Sequence, residues 1–255
     1  MNFMRSIFLA ASLILFSSTA FANVWTLPGE TFWQGTKRDI ESPVTTPASR
    51  VLWPGLGVEA VLLLTHAQFS QKIQPHIAET QPLGTTSNFG NYMGKLIPNV
   101  LYAGGMLADY ELTGSSLALE RSILMVKATL YSGVFTDLLK PIVRERRPNG
   151  SPDLASFPSG HSTVAFAFAS IVGAEHAWYY GVGAYALASF VAFSRMNDNK
   201  HYLHDVTAGA LIGTTYGLGV YYRQNESALK HVSKSLTIIP IVTPDVSYVQ
   251  VGYEF

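Results

Sequence analysis

The chain has 255 residues, with 17 Lys plus Arg against 17 Asp plus Glu and no cysteine. Balanced charge excludes a global field that would gather nucleic acid or an acidic bilayer, and the lack of cysteine excludes disulfides. Charged residues make up only 13% and hydrophobic ones 48%, a low charge density for a soluble protein that raises the question of a membrane.

In chain order, residues 1–22 read as a secretory signal peptide. Arg5 supplies the positive start, Ile7 to Phe16 the apolar core and Ala20-Phe21-Ala22 a small-x-small cleavage site. The apolar core is short for an uncleaved anchor, so the mature chain is expected to begin at Asn23, in the periplasm. Roughly 230 residues then remain, enough for one domain with its own core.

Residues 23–50 are polar, carry Pro28, Pro43 and Pro47, and read as an irregular arm. Residues 51–225 read as the helical domain. Helices are predicted over Val51–Phe69, Ile97–Leu112, Ser116–Leu139, Ser159–Gly173, Trp178–Ser194 and His201–Arg223. Gln81–Gly94 reads as a loop, and Pro141, Arg147-Pro148-Asn149-Gly150 and Pro152 mark another. The expected fold class is all-α, a bundle of about six helices with the site at one end. Residues 226–255 form a tail of β character, one strand or a hairpin, because Tyr248 to Phe255 alternates; two strands cannot close a barrel.

Ala177–Phe193 and Val206–Tyr222 are uncharged runs near the lower length limit for crossing a bilayer, whereas Thr163–Ala174 is too short. Glu120, Arg121, Lys127 and Asp137 interrupt the other segments at a cost in lipid. The sequence therefore favours a periplasmic domain lying on a membrane over the alternative, an integral inner-membrane protein.

Three clusters carry chemistry: Lys140 with Arg147-Pro148, then Pro158-Ser159-Gly160-His161, then Ser194-Arg195 with His201 and Asp205. A transferring phosphoryl group keeps its negative charge, so a site that supplies no metal needs fixed cations and oriented N–H donors. Lys140, Arg147 and Arg195 supply cations, and an arginine fork can hold two phosphate oxygens. Ser159 to Ser162 opens a helix whose first N–H groups form an anion site, and Gly160 lets the backbone approach. His201 and Asp205, four apart, fall on one helical face, where Asp205 can accept the Nδ1–H of His201 and leave Nε2 to attack phosphorus. The product is a phosphohistidine. His161 is then the acid for the leaving oxygen and later the base for water.

Taken singly, each cluster has an ordinary reading: a solvated helix end, a turn into a capped helix, a surface His–Asp pair. Their joint order and spacing carry the functional reading. His66, His76, His176, His204 and His231 have no such pattern and read as surface or boundary residues, although His204 is close enough to touch substrate.

Together the clusters resemble the signature of the type 2 phosphatidic acid phosphatase superfamily, which also contains bacterial class A acid phosphatases and vanadium haloperoxidases. That signature runs lysine, six residues, Arg-Pro; Pro-Ser-Gly-His; then Ser-Arg, five residues, His, three residues, Asp. Every position is present here, within roughly Leu117 to Tyr222. The resemblance implies His201 as nucleophile, His161 as general acid and Asp205 as orienter, with phosphate bound by Lys140, Arg147, Ser159, Gly160 and Arg195. It implies no metal and no cofactor. The expected activity is hydrolysis of phosphate monoesters or diphosphates, the partner being a phosphorylated small molecule or, given the apolar composition, a lipid head group. Two alternatives stand beside it: a vanadium-dependent haloperoxidase using the same cage, and a non-catalytic phosphate- or lipid-binding module.

Overall fold

A computed structural model of the chain describes residues 25–27, 29–66, 70–226, 236–242 and 247–253. The expected signal peptide lies outside the described residues. Nine α-helices occur among them: α1 (Phe32–Thr45), α2 (Ser49–Leu64), α3 (Ser70–Thr80), α4 (Ser87–Met93), α5 (Ile97–Thr113), α6 (Ser116–Val143), α7 (Gly160–Glu175), α8 (Trp178–Asn197) and α9 (Leu203–Gln224). The class is all-α, as the periodicity predicts. Strands β1 (Leu236–Val242) and β2 (Ser247–Tyr253) of the tail pair antiparallel, from Leu236 opposite Tyr253 to Val242 opposite Ser247.

Three of these helices exceed the six expected. The arm expected to be irregular contains α1, residues 70–80 form α3, and the loop expected over 81–94 contains a 3₁₀ turn and α4. Helix α1 starts at a capping box: Gln34 N donates to Thr31 Oγ1, and Thr31 N donates to Gln34 Oε1 at 2.9 Å. Its buried face is Gly35, Asp39, Ser42 and Pro43, polar or small throughout, so no apolar period announces it.

Helix α7 is the core element, packed by α6, α8 and α9. The α7–α9 contact is made backbone to backbone. A Cβ added at Gly209 would meet the Ser159 carbonyl at 2.5 Å, one at Gly213 the Thr163 carbonyl at 2.2 Å, and one at Gly217 the Ser170 Cβ at 2.6 Å. These glycines recur every four residues, so one stripe of α9 lies flat on α7. Around that seam Leu124, Met125, Ile171, Val191 and Val220 are fully buried, each contributing about 1.5–3 kcal/mol of apolar burial.

Helix α6 alone among the described residues is long and apolar enough to cross a bilayer, yet 61% of its most apolar window is buried inside the protein, which makes it a core helix. At the end of the bundle away from the motifs, Asp39 of α1 binds Lys127 of α6 at 3.1 Å and Arg223 of α9 at 2.5 Å, and Arg223 also pairs with Glu30. Tyr131 donates to the same Asp39 carboxylate at 3.2 Å. This network ties α1, α6 and α9 together.

Candidate active site

The three motif clusters meet at one end of the bundle, because main-chain and side-chain bonds stitch them together. Ser159 N at the start of α7 donates to the Asp205 carbonyl of α9 at 2.9 Å, and Ser156 N donates to the Glu145 carbonyl at 3.1 Å. Arg147 reaches across the site. Its Nε donates to both Asp153 oxygens at 2.8 and 3.0 Å, and Nη1 to the Lys200 carbonyl at 3.3 Å. Helix α6 ends at Arg144, which is left-handed with φ 55°, and this turn sends the chain toward Arg147.

A cavity of about 640 Å³ opens there. Lys140, Arg147, Gly160, His161, Arg195 and His201 line it together with Lys95 and an apolar wall of Leu96, Ile97, Val100 and Leu101 from the start of α5. Seven of the eight residues proposed from sequence behave as a group: six line the cavity, and Asp205 sits directly behind His201. Ser159 does not line it. It is fully buried as the N-cap of α7, its Oγ accepting from Ser162 N, and so holds the helix end in place.

His201 lies two residues ahead of α9 and is not helical, contrary to the expected helix start. Its pairing with Asp205 survives through the turn: Nδ1 is 3.4 Å from Asp205 Oδ2, and Nε2 faces Arg147 Nη1 at 3.3 Å. Asp205 is wholly buried and its Oδ2 also accepts from Ser156 Oγ at 2.6 Å and Tyr202 N at 2.7 Å. Burial pushes the Asp205 carboxyl up, but the histidines at 201 and 204 and the Ser156 hydroxyl outweigh it and hold it low. The His201 imidazole is held below its usual range: burial dominates and Arg147 and Arg195 add to it, against the pull of Asp205.

His161, in the first turn of α7, is pressed by Gly94, where an added Cβ would stand 2.7 Å from the imidazole Cδ2. Its Nε2 is buried with no hydrogen-bond partner in the protein. Burial first, then the charges of Arg195, His201, Lys95 and Lys140, bring its pKa down to about 3. Arg195, 5% exposed, is aimed by Asn91 Oδ1 at 3.1 Å and Asp198 Oδ2 at 3.4 Å. Lys140 is steadied by Asp137 Oδ1 at 3.0 Å. Cations thus surround a small space in front of an imidazole Nε2, with a second imidazole and a helix N-terminus on its rim.

The sequence reading missed several contributors. Asn91, Asp153 and Ser156 act on motif residues from outside the motif. His204, read as a surface or boundary residue, is 1% exposed and packed behind Asp205. Its Nε2 meets Glu145 Oε1 and Oε2 at 2.8 and 3.0 Å, and its Nδ1 meets His66 Nδ1 at 3.2 Å. Its place immediately before Asp205 was the one available signal.

Residues 85–228, more than half of the chain, match the family model of the PAP2 superfamily. The protein belongs to that superfamily. The match reaches further toward the N-terminus than the three motifs do, taking in α4 and α5 and so the apolar wall and Asn91. A curated relative, lipid A 1-phosphatase of Porphyromonas gingivalis, is 40% identical over 75 residues, which is 28% of this chain and 16% of that protein's length. Among solved structures, the first transmembrane PAP2 type phosphatidylglycerolphosphate phosphatase from Bacillus subtilis superposes with a TM-score of 0.55 at 20% identity, covering 73% of this chain and 97% of that one. LpxE of Aquifex aeolicus gives a TM-score of 0.49 at 19% identity, over 60% of this chain and 94% of its own. At 20% identity the Bacillus subtilis structure speaks to the fold alone.

Proposed function

We propose that the protein is a metal-independent phosphatase that hydrolyses the phosphate monoester or diphosphate of a lipid through a phosphohistidine on His201. One observation carries this reading: His201, His161, Lys140, Arg147 and Arg195 line one cavity whose remaining wall is Leu96, Ile97, Val100 and Leu101. The cations suit a phosphate and the wall suits an acyl or prenyl chain. The name of the curated relative that is 40% identical over 75 residues, a lipid A 1-phosphatase, points the same way.

In the first half-reaction the Nε2 lone pair of His201 forms the P–N bond, the P–O bond to the alcohol breaks, and His161 gives the leaving oxygen its proton. Asp205 steadies the positive charge left on the phosphorylated ring through Nδ1–H. In the second, His161 takes a proton from water, the hydroxide oxygen bonds phosphorus, and the P–N electron pair returns to His201. A phosphate among Arg195, Lys140 and Lys95 offsets the charges that help drain His161 of its proton, so substrate binding arms the acid.

The outer surface supports work at a bilayer. Leu64 and Leu112 are each 85% exposed, Trp178 76% and Leu101 70%, and α2 shows Val51, Trp53, Leu56, Val58, Val61 and Leu63 to the outside. Apolar exposure on this scale marks a membrane-facing or partner-facing surface. The reading includes export to the periplasm, membrane attachment, and one catalytic domain over 51–225.

The test offers the purified chain lipid phosphates in detergent beside a soluble aryl phosphate, in excess EDTA. Turnover that persists in EDTA, prefers the lipid, and leaves an acid-labile phosphoryl group on His201 is expected. Turnover abolished by EDTA and restored by a divalent ion would overturn the mechanism, and equal rates on all esters would overturn the lipid assignment.

A further inference from the structure

His204 is a fully buried imidazole that the reaction itself does not use. Three carboxylates act on it: Glu145, at 2.8 and 3.0 Å from Nε2; Asp205, whose Oδ1 is 3.4 Å from the same nitrogen; and Glu59 of α2, which is held by Thr207 Oγ1 at 2.8 Å. His66, just after α2, stands against Nδ1 at 3.2 Å. The ring lies nearly parallel to Tyr202, centroid 5.5 Å away at 11°, and to Phe157, at 6.0 Å and 25°. Carboxylates at one edge and two stacked aromatic rings favour a cation. Both ring N–H groups then have acceptors, Glu145 at Nε2 and the Nδ1 lone pair of a neutral His66.

Asp205 explains why a cation is needed there. A buried carboxylate facing only His201 would draw a second proton onto that ring, and an imidazolium has no lone pair for phosphorus. The two carboxylate oxygens stand at ion-pair distance from different rings, Oδ2 3.4 Å from His201 Nδ1 and Oδ1 3.4 Å from His204 Nε2; His204 gives its Nε2–H to Glu145, and Oδ1 accepts no hydrogen bond within the protein.

Resting on the phosphohistidine reading, we propose that His204, clamped by Glu145, is a positioning residue: as a buried imidazolium it fixes Asp205 from behind and keeps His201 neutral and nucleophilic. Around His201, Asp205 supports the charge, and Arg147 and Arg195 oppose it. His161 lines the same cavity, and the Asp153 carboxylate, bound to Arg147, feels the charge of His201 from outside that lining. On the His204 side, burial opposes the charge, while Glu145, Asp205 and Glu59 together overcome burial and raise its pKa. His66 is kept neutral by burial and by His204 itself.

The test reads His201 directly. Histidine-labelled full-length protein in detergent micelles is titrated by NMR, the seven histidines being assigned by single substitutions. His204→Gln keeps an amide donor toward the carboxylates but no charge. It is expected to raise the His201 midpoint by about one pH unit, and the acid limb of kcat/KM on an aryl phosphate should move up with it. Glu145→Gln, which leaves His204 easier to deprotonate, should shift the midpoint the same way by less, and it serves if His204→Gln does not fold. An unchanged or lowered His201 midpoint would overturn the proposal, even where activity falls. Because the titration needs no turnover, a protein that proves inactive on every phosphate would defeat the phosphatase reading and still decide this one.

Discussion

Among the described residues, buried charge gathers toward each end of the bundle, and the two gatherings are built on opposite principles. Lys127 and Lys140 share α6 thirteen residues apart, about 20 Å at 1.5 Å per residue. Around Lys127, carboxylates answer the cations: Asp39 takes Lys127, Arg223 and Tyr131, and Glu30 takes Arg223. Around Lys140 the balance is reversed: Lys95, Lys140, Arg147 and Arg195 line the cavity, and no carboxylate is among its described lining residues. The first arrangement holds helices together. The second stores unmet demand for negative charge, which is what binds a phosphate.

The sharpest way to test this contrast is to substitute one residue at each end. His201→Ala should lower turnover about a thousandfold or more while leaving the midpoint of thermal unfolding in place; near-normal turnover would remove His201 from the reaction. Asp39→Asn should do the reverse, costing about 3–5 kcal/mol of unfolding free energy by stranding Lys127 and Arg223, with kcat of the folded fraction retained. Denaturant titration beside active-site-normalised kinetics measures both effects. A variant at Asp39 that loses activity without losing stability would abolish the distinction between the two ends.

Smaller effects sharpen it. Arg195→Lys keeps the charge but loses the planar fork aimed by Asn91, and a drop of about ten- to a hundredfold in kcat/KM is expected. Acid should reveal the unmet demand as instability. His161 has its folded pKa near 3 against an unfolded value of about 6.5, so below 6.5 the unfolded chain binds the extra proton. Stability is therefore expected to decline as pH falls from 6.5 toward 3, with added inorganic phosphate reducing the decline, as followed by scanning fluorimetry across pH. A phosphate-independent profile would show that the cations are satisfied within the protein.

Much of this was legible in the sequence, for reasons that differ by residue. Helices α5 to α9 announce themselves through apolar period and length, and the motif spacing names the residues around the cavity because phosphate chemistry restricts which side chains can serve. Helix α1 was hidden because what it buries is Asp39, Ser42 and Pro43, and its Thr31–Gln34 capping box was the overlooked sign. Helix α3 carries Pro75 within it, which reads as a break. Ser159 sits in the motif but serves as a cap, since a hydroxyl at a helix start can bond backbone or ligand and only the fold decides. Asn91 and Glu145 support Arg195 and His204 through contacts 104 and 59 residues away in sequence, a pairing no local pattern encodes.

The glycine stripe of α9 bears on how such a catalyst can change. His161 lies in the first turn of α7 and His201 two residues ahead of α9, so the gap between the proposed acid and the proposed nucleophile is ruled by two main chains lying in direct contact at Gly209 and Gly213. Bulky aliphatic neighbours can be exchanged during evolution without retuning that gap, whereas a single added methyl at Gly213 would pry the two imidazoles apart. On the proposed mechanism, the spacing of the two imidazoles is thus insulated from drift in the rest of the interior, and the apolar wall is left free to vary.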